Sequence, residues 1–133
     1  MAVETPDQLL DLMPFARTVG IDHVEVGADR VVGRLEWAPE RCTSAEVMHG
    51  GALMVLADTC GAVCAVQHLP EGAGTSTIES KTNFFRGLHG GSVTATSVPL
   101  HAGRSTIVVQ TEMRDGDGKL IAMTTQTQAV LQR

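Results

Sequence analysis

The sequence predicts a single α+β domain in which a six-stranded antiparallel sheet wraps around one long central helix. Its 133 residues are near the commonest size of one domain. The segment from Gly51 to Gln67 is apolar almost all round, as expected of a buried helix. About six other segments are short, rich in Val and Thr and separated by glycines, which is typical of antiparallel strands.

The composition excludes several classes of function. There are 15 acidic and 10 basic residues and only 3% aromatics, which argues against nucleic-acid binding. The longest apolar run, Ala52 to Ala57, is far shorter than the ~20 residues that span a bilayer. The acidic start, MAVETPDQLL, lacks the apolar core of a signal peptide. We therefore expect a cytoplasmic protein that binds neither nucleic acid nor membranes.

The first predicted elements are a short helix and a hairpin. Pro6 and the apolar positions within Asp7 to Ala16 predict an amphipathic N-terminal helix. The segments from Ile21 to Val26 and from Val31 to Trp37 flank a Gly-Ala-Asp turn, which predicts two paired strands.

Four more strands are predicted after the long helix. Their sequences are TSTIESKTNFFRG, GSVTATSVPLHA, STIVVQTEMRD and KLIAMTTQTQAVLQ. Glycines separate them, which predicts an antiparallel meander. In the third, one face carries Ile107, Val109, Thr111 and Met113. Only the long helix can cover the apolar face of this sheet, so the sheet should wrap around it.

The cysteines and the short motifs predict no bound metal or cofactor. Cys60 and Cys64 lie four residues apart on the predicted helix, and we interpret them as buried thiols rather than as a redox pair. No Cys/His set has zinc-ligand spacing. The chain also lacks the G-x-S-x-G motif and the glycine-rich nucleotide-binding motifs.

Asp58 is the one charged residue of the apolar helix. A carboxylate in a buried helix must be paired, protonated or functional. It is either a structural group, bonded to backbone or turned to solvent at a kink, or a general base or nucleophile.

His49-Gly50-Gly51 opens the same helix. Helix N-termini leave backbone N–H groups unpaired and carry partial positive charge, which suits a carbonyl that becomes an oxyanion. The alternative is a tight turn with His49 as a loop residue.

Together these features resemble the central helix of hotdog-fold thioesterases that act on coenzyme A thioesters. The stretch HGGALMVLADTCGAVCA places Asp58 eight residues after Gly50, as in the phenylacetate-catabolism type of the 4-hydroxybenzoyl-CoA thioesterase superfamily. The downstream motifs Phe84-Phe85-Arg86 and Gly103-Arg104 also fit, and the resemblance covers essentially the whole chain. Two departures are Thr43, where some relatives have Asn, and the pair Asp58 and Ala62, where others have Glu and Ser or Thr.

The resemblance implies a role for each matched residue. Gly50 would polarise the thioester carbonyl, His49 would orient that loop or contact the thioester, and Asp58 would act as nucleophile or as base for water. Thr77, or else Ser76, would assist the water. The residues expected to bind substrate or coenzyme A are Gly51, Ser76, Phe84, Phe85, Arg86, Gly103, Arg104 and Ser105. Arg86 and Arg104 could instead be exposed strand-end charges.

The resemblance therefore implies an acyl-CoA thioesterase for small or aromatic acyl groups, with no metal and no prosthetic group. The alternatives are a non-catalytic acyl-CoA-binding hotdog protein, a hotdog hydratase or dehydratase, and an unrelated interaction domain. Gly50 and Asp58 are about 12 Å apart along one helix, so one site should combine Gly50 of one subunit with Asp58 of another. We expect a homodimer, and a homotetramer built from two such dimers.

Overall fold

The computed structural model describes residues 5–27 and 29–132. Three parts of the chain lie outside this description. They are residues 1–4 of the segment predicted not to be a signal peptide, Ala28 of the predicted hairpin turn, and residue 133. The helices and strands are α1 (Pro6–Asp11), α2 (Pro14–Val19), β1 (Ile21–Val26), β2 (Val31–Glu36), α3 (Gly50–Val66), β3 (Gly74–Phe84), β4 (Ser92–Ala102), β5 (Thr106–Arg114) and β6 (Leu120–Leu131).

The six strands form one antiparallel sheet that packs against α3, so the predicted fold class is confirmed. The sheet order is β1-β2-β4-β5-β6-β3, which leaves β3 at one edge. The core between helix and sheet is aliphatic. Its fully buried large side chains include Leu10, Ile21, Leu35, Leu56, Ile107, Met113 and Ile121.

The predicted meander of the last four strands is wrong for β3. This strand pairs with β6 at the far edge, and β4 pairs with β2 instead. The residues between β3 and β4, 85–91, are too many for a tight hairpin. They carry the chain past the N-terminus of α3, where Met48 N–H donates to the Leu88 carbonyl at 2.9 Å.

The single predicted N-terminal helix is two helices, α1 and α2. Pro14 cannot donate a backbone hydrogen bond, and its ring disfavours helical geometry at Met13. Met13 accordingly has φ −125° and ψ 74°, and the second helix begins at Pro14.

One side of α3 is not covered by the sheet, which corrects the prediction of a helix buried all round. Asp58 and Met54 are exposed on this side, beside the edge strand β3. On the other side Cys60 and Cys64 are buried, as predicted, and burial raises the pKa of the Cys60 thiol to about 12 and that of Cys64 to about 11. Among the described helices, none is long and apolar enough to cross a membrane.

Candidate active site

The first turn of α3 presents one unpaired backbone donor. His49 caps the helix, because its Nδ1 accepts a hydrogen bond from the Gly51 N–H at 2.8 Å. The His49 carbonyl accepts from Ala52 N–H at 2.9 Å. The Gly50 N–H has no acceptor within residues 5–27 and 29–132. An unpaired N–H at the positive end of a helix can stabilise negative charge on a ligand oxygen.

The aromatic motif of β3 lies against this helix end. The Phe84 ring packs on the Gly50 Cα so closely that a Cβ there would lie 3.1 Å from ring carbons. A cleft of about 340 Å³ at this point is shared by Gly50, Phe85, Arg86 and Thr43. The structure therefore brings the HGG motif, the aromatic motif and Arg86 together at one end of α3.

The Asp58 carboxylate is held through one of its two oxygens. Thr77 Oγ1 on β3 and Gln126 Nε2 on β6 each lie 3.3 Å from Asp58 Oδ1. Asp58 Oδ2 has no hydrogen-bond partner in the described part of the chain. Thr77 is the first of the two hydroxyl candidates that the sequence suggested. Ser76, the second, makes no side-chain hydrogen bond to any described residue.

A bulge in β3 decides which of its hydroxyls face α3. Thr77 pairs with Gln128 and Glu79 with Thr127, so Ile78 is the extra residue, and its side chain is 61% exposed. A bulge shifts the alternation of a strand by one residue. Thr77 before the bulge and Ser80 after it therefore both lie on the Asp58 side, where Ser80 lines the same cleft as Asp58.

Two buried glutamines of β6, which no sequence pattern singled out, complete the surroundings of Asp58. Gln126 is 0% exposed and Gln128 is 1% exposed, and Gln126 Nε2 donates to Gln128 Oε1 at 3.0 Å. Thr77 Oγ1 also donates to Gln128 Oε1, at 2.7 Å. The segment TTQTQ is polar at every position, so alternation within it does not reveal the inward face. Apolar residues of both parities flank this segment, from 120 to 123 and from 129 to 131, so no signal in the sequence marks the inward face.

An apolar cleft opens beside the Asp58 carboxylate. Its volume is about 520 Å³, and Phe15 and Met54 are among its walls. A second cleft of about 720 Å³ borders His49 and Gly51 and also includes Phe15. A carboxylate beside an apolar wall can act on a reactive group whose apolar part binds to that wall.

The two ends of the candidate site do not meet within one chain. Gly50 and Asp58 lie on the uninterrupted helix α3, about 12 Å apart along its axis. Arg86 lies near Ile121 and the end of β3, since its N–H donates to the Ile121 carbonyl. Ser105, next to Arg104, accepts from Val130 N–H near the start of β3. Ile121 and Val130, the β6 residues that these two bonds reach, are nine residues apart on the strand, which is roughly 30 Å. The two arginines therefore do not form one cluster within the chain.

Gly103, the other matched residue of the β4–β5 turn, donates its N–H to the Thr106 carbonyl at 2.8 Å. This turn is therefore closed by its own backbone and directs Arg104 and Ser105 into solvent, where both are exposed. Among the described residues, no group of three or more His, Cys, Asp or Glu side chains is placed to hold a metal ion.

Comparison with known sequences gives one family. Residues 45–122 match the thioesterase superfamily. A candidate esterase of Vibrio cholerae is 42% identical over 84 residues, which are 63% of this chain and 56% of that protein. The chain thus spans less than two thirds of that relative. The 1,4-dihydroxy-2-naphthoyl-CoA hydrolase of Listeria monocytogenes is 29% identical over 118 residues, 89% of this chain and 96% of the hydrolase.

Comparison with solved structures gives the same fold. The crystal structure of a thioesterase from Haemophilus influenzae superposes with a TM-score of 0.90 at 26% identity, covering 97% of this chain and 92% of that one. A thioesterase from Pseudomonas aeruginosa superposes with a TM-score of 0.89 at 25% identity and covers 97% and 95% of the two chains. The architecture is the hotdog fold of these enzymes.

Proposed function

Because the chain belongs to the thioesterase superfamily, we propose that it hydrolyses acyl-CoA thioesters with a small or aromatic acyl group. The observation that carries this proposal is the Asp58 carboxylate, which is held through Oδ1 and exposed beside an apolar cleft. The acyl group would occupy that cleft against Phe15 and Met54. A relative named as the hydrolase of an aromatic acyl-CoA supports an aromatic group.

The reaction adds water across the thioester and releases a carboxylic acid and the thiol of coenzyme A. The Gly50 N–H would stabilise the negative charge that develops on the carbonyl oxygen. Asp58 would either remove a proton from the attacking water, or attack the carbonyl carbon itself to form an anhydride that water then hydrolyses. In the first route the proton taken from water passes to the departing sulfur. In the second the sulfur leaves as a thiolate when the anhydride forms, and the water that hydrolyses the anhydride supplies the proton that the thiolate takes up. Neither route uses a group from outside the protein except water.

We propose that each site is shared between two subunits. A reacting carbonyl must lie within about 3 Å of its attacker, so Gly50 and Asp58 of one helix, ~12 Å apart, do not serve one thioester. The edge strand β3 is long, and its outer side has no partner strand among those described. A free edge of this kind is a template for pairing with a second strand. Antiparallel pairing of two β3 strands about a two-fold axis would bring Gly50 of one chain towards Asp58 of the other.

The same symmetry would assemble the coenzyme A site. Arg86 and Arg104 lie near opposite ends of β3 in one chain. In an antiparallel pair of β3 strands, the end of one strand lies beside the start of the other. Arg86 of one subunit and Arg104 of its partner would then form the local basic cluster that a ligand with several phosphates requires on an acidic protein. Further pairing of dimers would give the proposed tetramer.

The direct test is the hydrolysis of a panel of aryl and alkyl acyl-CoAs, measured as the release of the coenzyme A thiol. We expect turnover on at least one small or aromatic member, since a relative is named as the hydrolase of an aromatic acyl-CoA. Tight binding of the whole panel without any turnover would contradict the proposal and would favour a non-catalytic acyl-CoA-binding protein.

For the phosphate contact we expect Arg104→Ala to raise KM for an acyl-CoA several-fold while kcat changes little. The reason is that a contact to the nucleotide stabilises ground state and transition state equally. On a short pantetheine thioester, which lacks the nucleotide, the substitution should be nearly silent. Arg30→Ala is the matched control, since Arg30 is also exposed but precedes β2, next to the opposite edge of the sheet. Equal losses on both substrates would contradict the assigned role.

A further inference from the structure

The orientation of Gln128 follows from the backbone next to it. Thr75 Oγ1 donates its only proton to the Ala129 carbonyl, at 2.8 Å. It can therefore only accept from Gln128, which lies 3.2 Å away. The Gln128 atom that faces Thr75 must be the amide nitrogen, so Gln128 Oε1 points towards Thr77 and Gln126.

The orientation of Gln126 follows in turn. Gln128 Oε1 is an acceptor without protons, and the Gln126 group that faces it at 3.0 Å must be the donor Nε2. The same nitrogen lies 3.3 Å from Asp58 Oδ1. A hydrogen-bond chain that starts at a main-chain carbonyl of β6 thus ends with a donor directed at the carboxylate.

Gln126 can hold Asp58 continuously, whereas Thr77 cannot. The Gln126 amide has two protons and can serve Gln128 Oε1 and Asp58 Oδ1 at once. Thr77 has one, and its oxygen lies closer to Gln128 Oε1, at 2.7 Å, than to Asp58 Oδ1, at 3.3 Å. The contact of 3.3 Å is long, but catalytic hydrogen bonds often shorten when substrate binds.

Gln126 keeps this orientation at a cost in the stability of the fold. Gln126 Oε1 is buried and has no hydrogen-bond partner among the described residues, and a buried acceptor without a partner is destabilising. It lies against Gly61 of α3, where any Cβ would collide with the Gln126 amide. The helix therefore has a glycine at the point where the glutamine must pass to reach Asp58.

We infer, within the proposed function, that Gln126 is a positioning residue. It fixes Asp58 through Oδ1 and leaves Oδ2 as the oxygen that reacts. The arrangement would restrict the carboxylate to one orientation before substrate binds, and a displacement of about 1 Å at such a group can cost ~100-fold in rate.

The test is a double-mutant cycle between Gln126→Met and Asp58→Asn, with turnover measured at saturating acyl-CoA and with enzyme in excess for the slow variants. Met has a similar length to Gln but has no donor. We expect Gln126→Met to lower turnover about 10- to 100-fold when Asp58 is present. In the Asp58→Asn protein the same change should cost less than about twofold, because Gln126 acts through Asp58. A merely structural loss would lower the folded fraction, and hence turnover, by the same factor in both backgrounds.

Two further variants keep the test decisive. Gln110→Met on β5 is the matched control, because Gln110 is only partly buried and lies on the opposite face from the buried residues of that strand. It should leave turnover unchanged. If Gln126→Met does not fold, Gly61→Ala replaces it in the cycle, since Ala favours a helix but displaces the Gln126 amide.

Near-normal turnover of the folded Gln126 variant, or equal losses in both backgrounds, would overturn the inference while the proposed function stands. Normal turnover of Asp58→Asn itself would instead refute the proposed function.

Discussion

The substitution Asp58→Asn is expected to reduce turnover of an acyl-CoA by at least ~100-fold, the usual scale for a positioned base or nucleophile. Asn keeps the size and shape of the side chain but can neither attack the carbonyl as a carboxylate nor take the proton of water. The side chain is exposed in the chain, so the fold should tolerate the change. The measurement is steady-state release of the coenzyme A thiol at saturating substrate.

Binding and stability provide the controls for this variant. Affinity for a non-hydrolysable acyl-CoA should change little, because Asn keeps the shape of the Asp58 side chain at the acyl cleft and the arginines are untouched. The midpoint of thermal unfolding should stay close to that of the wild type. If Asp58→Asn retains near-normal turnover, Asp58 is a structural residue and the proposed chemistry is wrong.

Mixing two inactive variants is expected to restore roughly a quarter of the wild-type activity. Gly50→Pro removes the N–H that would stabilise the oxyanion. The helix backbone tolerates proline at its first position, and the half-exposed Phe84 ring must move slightly to admit the new Cβ. Asp58→Asn removes the carboxylate. Each variant alone should be nearly inactive, because each of its two sites carries one defect.

The fraction follows from symmetry. When the variants are unfolded, mixed in equal amounts and refolded, about half of the dimers contain one chain of each. In a mixed dimer with shared sites, one site carries both defects and the other carries neither. If Gly50 and Asp58 of the same chain formed a site, every site would keep one defect and no activity would return.

Activity is measured after refolding, together with the proportion of mixed dimers, which differently tagged chains make visible. Refolded wild type, taken through the same steps, sets the reference. Mixed dimers that form in the expected proportion without any activity would rule out the shared site.

The elements of the fold could be predicted from the sequence because each has a local cause. The apolar stretch that became α3, the hairpin of β1 and β2 and the turns between the later strands depend on hydrophobic pattern and glycine, both of which are visible in a few neighbouring residues. The position of β3 was mispredicted, because pairing with β6 joins residues far apart in the chain. The break at Pro14 was local and was overlooked.

The candidate site divides in the same way. The sequence by itself determined the choice of Gly50 and Asp58 as candidate residues and their spacing along one helix. Helix geometry follows from residue number alone, so this spacing was enough for the expectation of two subunits. Only the tertiary structure decided that Asp58 meets Thr77 and Gln126, because those contacts depend on the bulge at Ile78 and on strand register. A one-residue shift in register turns a side chain from one face of a sheet to the other. The face that Gln126 presents was therefore settled by strand pairing, whereas the polar segment around it carried no pattern of its own.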